Sequence, residues 1–169
     1  MSEAIPTIHL LSLLRRRPDA WATVRGSEAY PELSGAVRFY QTRRGVAVWA
    51  EVSDLPEAAE PCGNRVFAFH IHGGGQCTGD SADPFANSLT HFNPGNCPHP
   101  FHAGDLPPLF SNRGYALQLF LTDRFSVREI IGKTIIIHSG PDDFTTQPGG
   151  DAGSKIACGQ IKTMRSRSA

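Results

Sequence analysis

The chain has 169 residues, of which 40% are hydrophobic and 19% are charged. Its 16 basic residues balance its 16 acidic residues, so the formal net charge is zero. This length is enough for one domain with a buried core. The balanced charge argues against a nucleic-acid partner, and no apolar run is long enough for a membrane-spanning helix. We therefore expect neither nucleic acid nor a membrane as a partner.

Short segments rich in β-branched and aromatic residues recur along the chain, which is typical of strands. In chain order, the predicted strands are residues 21–25, 35–40, 45–52, 65–72, 115–121 and 133–138. We expect a hairpin turn at residues 42–45. Only residues 1–17 and 18–28 offer a weak helical alternative. Many short strands joined by turns indicate an all-β sandwich or barrel in one domain.

Two long irregular segments, residues 73–112 and 139–154, separate the later strands. Both are rich in Gly, Pro, Asn and Asp. Loops of this length in a compact domain usually carry function. We therefore expect the chemistry of the protein to lie on these two loops.

Histidine is concentrated in the middle of the chain. Six of the seven histidines fall between residues 70 and 138, namely His70, His72, His91, His99, His102 and His138. His70 and His72 are two apart in a predicted strand and therefore point to one face. His99, His102 and Asp105 are spaced by three in a loop. Because imidazole is the commonest protein metal ligand and suits copper and zinc, this pattern predicts a metal site.

The N-terminal residues include a short apolar segment followed by three arginines, residues 15–17. A secretory signal peptide has its positive charges before the apolar segment, so the order here is reversed. We expect a cytoplasmic location on this ground, and export if an N-terminal portion is missing from the sequence.

Four cysteines occur in the chain, at Cys62, Cys77, Cys97 and Cys158. They form no Cys-x-x-Cys motif, so they do not indicate a zinc knuckle. Taken alone, they are simplest to interpret as four reduced thiols.

Several motifs, taken in order, resemble the copper,zinc superoxide dismutase family in its bacterial type, with shortened zinc and electrostatic loops. The segments that carry the resemblance are Phe69-His-Ile-His72, Cys77, His91-Phe-Asn-Pro94, His102-Ala-Gly-Asp-Leu106, the segment from Ile131 to His138, Asp142-Asp143, and the segment from Gly153 to Gly159. The resemblance covers most of the chain. It implies an eight-stranded, immunoglobulin-like Greek-key barrel or sandwich at residues 21–162. An N-terminal extension at 1–20 and a basic tail at 163–169 would flank this domain.

The resemblance also implies an enzyme, a superoxide dismutase that converts superoxide to dioxygen and hydrogen peroxide. Its cofactors would be copper, cycling between Cu(II) and Cu(I), and zinc. The partner would be the superoxide anion as substrate, with a homodimer left open as the assembly.

Roles follow from the resemblance residue by residue. The implied copper ligands are His70, His72, His91 and His138, and the implied zinc ligands are His91, His99, His102 and Asp105. His91 would bridge the two metals and carry a proton during catalysis. Asp142 would hydrogen-bond one ligand of each metal. Cys77 and Cys158 would form a disulfide.

The sequence departs from the family pattern at three places. His99 and His102 are only three apart, so the zinc loop must turn tightly between them. Lys155 stands where the family usually has an arginine beside copper, and it would be the residue that attracts superoxide. Cys62 and Cys97 lie outside the family's usual bridge, and a second disulfide and two free thiols both remain open.

Two other functions compete with this interpretation. A non-catalytic copper-binding protein, or a degenerate member of the family, would share the fold, but such a member commonly lacks one of the four copper histidines. A zinc hydrolase would need a general-base glutamate, and the sequence has no His-Glu-x-x-His motif.

Overall fold

The computed structural model describes residues 13, 15–60 and 62–164. Ten strands are present in this part of the chain. They are β1 (Ala20–Gly26), β2 (Ser34–Thr42), β3 (Gly45–Ser53), β4 (Val66–Phe67), β5 (Phe69–His72), β6 (Leu109–Phe110), β7 (Ala116–Thr122), β8 (Thr134–His138), β9 (Lys155–Gln160) and β10 (Lys162–Thr163). A short helix, α1 (Val127–Ile130), precedes β8, and a 3₁₀ turn spans Ala86–Ser88.

The strands form one large antiparallel sheet and one small one. The large sheet has eight strands in the order β5-β8-β9-β1-β2-β3-β7, with β10 added to β1. The small sheet pairs β4 with β6. Neighbours such as β5 and β8 are distant in sequence, as in a Greek key. The prediction of an all-β, eight-stranded Greek-key fold is confirmed.

The predicted strands are present, with ends that shift by one or two residues. The exception is the segment 65–72, which divides into β4 and β5 because the two halves pair with different partners. The helical alternative for residues 18–28 is wrong, since β1 lies there with alternate side chains buried. Strand β9 was not predicted, because Ala157, Cys158 and Gly159 are small and carry no strand signal.

The interior of the large sheet holds a continuous apolar core. Its largest fully buried side chains include Phe39, Phe67, Phe69, Ile71, Leu109, Ile130, Ile135, Ile137 and Ile156. On β5 and β8 every residue is buried, on both faces. The face opposite Ile135 and Ile137 therefore needs its own cover, which the long loops supply. His70, His72 and His138 lie on that second face.

Both long loops are tied to β5 by backbone hydrogen bonds. The Ile71 amide donates to the Gly104 carbonyl at 2.9 Å, and the Phe92 amide donates to the Ile71 carbonyl at 2.8 Å. At the start of β5, the Ala68 amide donates to the Gly140 carbonyl at 2.7 Å. The two loops therefore meet above the same strand.

Some sequence expectations concern residues at the two ends of the chain. The proposed extension at 1–20 and tail at 163–169 fall largely outside the described residues, so the domain division stays a prediction. No helix in the described ranges is long and apolar enough to cross a membrane.

The Cys77–Cys158 disulfide is present and joins the loop after β5 to β9. Cys62 and Cys97 are free and exposed, so the second bridge that the sequence left open is not formed. The Cys97 amide donates to Asn93 Oδ1 at 3.0 Å, and the Cys97 carbonyl accepts from Asn93 Nδ2 at 2.8 Å, so the residue lies in a closed turn.

The Cys77–Cys158 bond encloses a segment of 81 residues. In the loop-entropy account, a bridge of this length raises the free energy of unfolding by about 4 kcal/mol. We expect Cys77→Ser to lower the urea-unfolding free energy by roughly that amount. The matched control is Cys62→Ser, which removes an exposed free thiol and should change nothing measurable. Equal stability of the two variants would contradict the prediction.

Candidate metal centre

Strands and loops bring all seven predicted ligands together. His70, His72 and His138 come from β5 and β8, whereas His91, His99, His102 and Asp105 come from the first long loop. They form two groups that share His91. The first group is His70, His72, His91 and His138, and the second is His91, His99, His102 and Asp105. Within each group the candidate ligand atoms lie within 4.8 Å of one another.

In the first group, hydrogen bonds fix which ring nitrogens carry protons. His72 Nδ1 lies 2.8 Å from the Leu89 carbonyl oxygen, and His138 Nδ1 lies 3.2 Å from the Gly153 carbonyl oxygen. A carbonyl can only accept, so each Nδ1 is the donor and each Nε2 of a neutral ring has a free lone pair. These two Nε2 atoms are 3.3 Å apart. Two lone pairs at this distance call for a cation between them.

His70 adds a third lone pair to this group. Its Nε2 donates to Asp142 Oδ2 at 2.8 Å, and its Nδ1 is buried without a hydrogen-bond partner. An unpaired polar atom in a protein interior is costly. A bound metal ion would supply the missing partner, so the residues present fit a metal.

The second group is built around the Asp105 carboxylate. Asp105 Oδ1 lies 2.7 Å from His91 Nδ1 and 3.2 Å from His102 Nδ1. Asp105 Oδ2 lies 3.1 Å from His99 Nδ1, in a geometry that makes no hydrogen bond. Because His99 Nε2 donates elsewhere, its Nδ1 lone pair faces a carboxylate oxygen, an arrangement that a cation would stabilise. Three imidazoles and one carboxylate make a closed four-ligand set, typical of structural zinc.

Asp142 joins the two groups. Its Oδ2 accepts from His70 Nε2 and its Oδ1 accepts from His99 Nε2, both at 2.8 Å. Burial raises the pKa of this carboxyl, but hydrogen bonds from His70, the Phe144 amide and His99 outweigh that effect and lower the pKa to about 2. Asp142 is therefore ionised and fixes the orientation of one ring in each group.

Burial keeps three imidazoles of the first group neutral, those of His70, His72 and His138. Loss of hydration lowers the pKa of His138 to about 3, and the neighbouring His70 adds to the effect. The same cause lowers the pKa of His70 and, more strongly, that of His72. Neutral imidazole is the form that binds a metal, so these three rings require no deprotonation at neutral pH.

Two residues, Arg124 and Gln147, stabilise the loop of the second group through hydrogen bonds to its backbone. Neither was predicted from the sequence. Arg124 Nη1 donates to the carbonyl oxygens of Pro100, His102 and Asp105, at 3.0, 3.3 and 3.1 Å. Gln147 accepts from the His99 amide at 3.0 Å and donates to the His99 carbonyl at 2.7 Å. Neither residue lies in a recognisable motif, because the contacts join parts of the chain that are distant in sequence.

Gly149 and Gly150 leave room for the centre. A Cβ added at Gly150 would overlap Asp142 Oδ1, and one added at Gly149 would lie 3.2 Å from His91 Nε2. Gly150 also has a φ of +74°, which favours glycine. The adjacent glycines Gly149 and Gly150 are a sequence signal for close packing against His91 and Asp142, which was not recognised from the sequence.

Lys155 lies at the mouth of the first group. With His72 and His91 it lines a pocket of about 390 Å³. Its Nζ donates to Asp83 Oδ2 at 2.7 Å and to the Phe85 carbonyl at 3.2 Å. The motif at residues 153–159 predicted Lys155, whereas no motif predicted its partner Asp83, which lies in the loop that the disulfide anchors.

Comparisons with known proteins agree with this geometry. The sequence profile described as "Copper/zinc superoxide dismutase (SODC)" matches residues 33–161. "Superoxide dismutase [Cu-Zn] 1" of Aquifex aeolicus is 36% identical over 146 residues, which are 78% of this chain and 81% of that protein. "Superoxide dismutase [Cu-Zn]" of Legionella pneumophila is 30% identical over 161 residues, which are 90% of this chain and 93% of that protein.

A solved structure shares the fold. The structure "Cu/Zn superoxide dismutase from Brucella abortus" superposes with a TM-score of 0.71, covering 85% of this chain and 99% of that chain. The two sequences are 22% identical in this comparison.

The lack of space for a side chain at Gly150 gives a test of the role of Asp142 in joining the two groups. We expect Gly150→Ala to displace Asp142 and to weaken the binding of added zinc by about tenfold or more. The matched control is Gly132→Ala, which has a φ of +81° but no atom within 4 Å of the new Cβ. It should show only the backbone cost of about 1 kcal/mol. Competition with a chromophoric chelator measures both, and equal zinc affinities would disprove the link.

Proposed function

The chain belongs to the copper/zinc superoxide dismutase family, and we propose that its two histidine groups hold the two metals of that enzyme. Copper and zinc are its cofactors and superoxide is its substrate. The observation that carries the proposal is the sharing of His91 by two complete four-ligand groups. A single ring can serve both groups at once after it has lost its N–H proton, because each of its two nitrogens then offers a lone pair.

We assign copper to the first group. His70 would use Nδ1, whereas His72 and His138 would use Nε2, since these are the atoms with free lone pairs. Four imidazole ligands suit a metal that changes oxidation state. This group also borders open space on two sides: His72 and His91 line the 390 Å³ pocket, and His91 and His138 line another of about 370 Å³.

We assign zinc to the second group. The Asp105 carboxylate supplies an anionic ligand, and His99, His102 and Asp105 are all buried. Four protein ligands leave no open position, which is the form of a structural rather than a catalytic zinc site. The braces from Arg124 and Gln147 support this role, because they hold the ligand loop without reaching substrate.

The chemistry that bound copper supplies is one-electron exchange with superoxide, one molecule leaving as dioxygen and a second as hydrogen peroxide. The residues of the chain do the rest. His91 Nδ1 lies in the second group, so its Nε2 is the atom that would hold one proton and pass it to the peroxide product, and solvent water would supply the second proton. Asp142 holds His70 in the required tautomer, and the Gly153 carbonyl does the same for His138.

Lys155 would attract the anionic substrate into the pocket. This lysine lines the pocket together with His72 and His91. Asp83 offsets part of its charge at a distance of 2.7 Å. The net pull on superoxide is therefore smaller than an unpaired lysine would exert.

The non-catalytic alternative is disfavoured by the completeness of the first group, in which all four imidazoles converge. A zinc hydrolase is disfavoured by the closed second group, which leaves no position for an attacking water.

Assembly and location remain proposals. We propose a homodimer without nucleic-acid or membrane partners, supported by the zero net charge and by exposed apolar side chains such as Phe101 and Phe110. Sedimentation velocity tests whether the protein is a dimer.

A cytoplasmic location stays a prediction. The Cys77–Cys158 bond argues against it, because disulfides are rare in reducing compartments. Fractionation of the native cells decides it.

Removing one ligand from each group should separate the two metals. We expect His138→Ala to retain zinc but lose copper. The rate of superoxide consumption should fall by more than about 100-fold, which is the loss expected when a residue that only hydrogen-bonds a metal ligand is removed. We expect Asp105→Ala to lose zinc and to lower Tm. Elemental analysis, calorimetry and a superoxide-consumption assay on copper-loaded protein measure these effects. Full activity in His138→Ala would overturn the assignment.

The ion pair at the pocket gives a second test. Lys155→Gln should slow superoxide consumption by about 2- to 10-fold at low ionic strength. Asp83→Asn should raise it by about 2-fold or more, and salt should diminish both effects. In the double variant the Asp83→Asn gain should disappear.

The matched control for the ion pair is Asp80→Asn. It makes the same charge change in the same loop, and Asp80 Oδ1 binds backbone amides rather than the lysine. If Asp80→Asn raises the rate as much as Asp83→Asn, general charge explains the effect and the specific role of Lys155 is wrong.

A further inference from the structure

The outer face of β7 presents three exposed leucines. Leu117, Leu119 and Leu121 alternate along the strand and are 59%, 39% and 43% exposed. We call these three residues the leucine row. Because β7 is the last strand in the order of the large sheet, the row lies at a sheet edge. Contiguous exposed apolar residues of this kind usually have a cover.

The start of the described chain already covers the neighbouring part of this face. Leu13 is only 6% exposed and packs against Tyr40, Ala47 and the partly buried Trp49. Tyr40 belongs to β2, whereas Ala47 and Trp49 belong to β3. Leu13 therefore lies across the outer side of these two strands.

The path of the chain leads from β2 towards β7. Arg16 donates to the Asp19 carboxylate at 2.6 Å and to the Gln41 carbonyl, next to β1 and at the end of β2. Three residues earlier, Leu13 has already reached β3. Following the chain towards its N-terminus thus means crossing the sheet in the direction of its β7 edge.

The strand register brings the leucine row next to the residues that Leu13 covers. Ala47 is paired with Leu121, and Trp49 is paired with Leu119. Adjacent strands are about 4.8 Å apart. The first exposed leucines therefore lie a single strand beyond the contacts of Leu13.

We propose that residues 1–12, which lie outside the described ranges, dock on the leucine row through Ile5, Ile8, Leu10 and Leu11. Their composition matches an apolar surface. Their length also suffices, because twelve residues span about 18 Å as a helix and about 40 Å when extended. The row from Leu117 to Leu121 is about 14 Å long. This docking is independent of the metal centre.

A double-mutant cycle in the full chain tests the docking. The segment variant carries Ile8→Gln, Leu10→Gln and Leu11→Gln, and the row variant carries Leu117→Gln and Leu119→Gln. We expect each to lower Tm by about 3–6 °C, and the combined variant to fall no further than the larger single effect. The control Met164→Gln changes a residue of comparable exposure, 41%, away from the row and should shift Tm by less than about 1 °C.

Two outcomes would overturn the proposal. Additive losses, or no loss in the segment variant, would mean that the segment and the row do not meet. Sedimentation velocity on the same proteins tests the alternative that a second copy of the chain covers the leucine row. If the row variant converts a dimer to a monomer while the segment variant leaves the dimer intact, a second copy covers the row. Unchanged metal content and superoxide consumption in every variant would show that the metal centre is unaffected, so this result is separable from the proposed function.

Discussion

The centre depends on the two hydrogen bonds that the Asp142 carboxylate accepts. They come from His70 and His99, one ring in each group, at the same distance of 2.8 Å. These two bonds fix the tautomers, and the tautomers decide which nitrogens converge. If either ring turned over, a protonated nitrogen would replace a lone pair at a metal position. The orientation of one ring in each group thus rests on a single ionised side chain held in a loop.

That carboxylate is in turn placed by the sheet. β5 is buried on both faces and binds both long loops through its backbone. The loops cover the face of β5 and β8 that carries His70, His72 and His138, and the first of these loops also contains the remaining ligands. Arg124 and Gln147 hold the ligand loop from outside by main-chain contacts, which leaves the side chains of that loop free for the metal. Core packing and ligand geometry are therefore consequences of the same arrangement.

The sequence predicted the all-β class, the strands with strong alternation and the full set of converging residues, because these depend on local pattern or on motifs with fixed spacing. β9 was missed because its small residues carry no strand signal, and β4 and β5 were merged because pairing partners are not visible in one segment. Asp83, Arg124 and Gln147 were missed for a related reason. Each acts on a backbone or side chain at least 19 residues away, at a contact that only the folded chain creates.

The separation in sequence between the interacting residues has a consequence for folding. The His70–Asp142 contact spans 72 residues and the His99–Asp142 contact spans 43. Contacts of this range form only after much loop-closure entropy has been lost, so such folds assemble slowly. A chain with only its central hairpin of β2 and β3 in place has no ligand set at all. We therefore expect the metal centre to be among the last features to form, so that tight metal binding would report a completely folded chain.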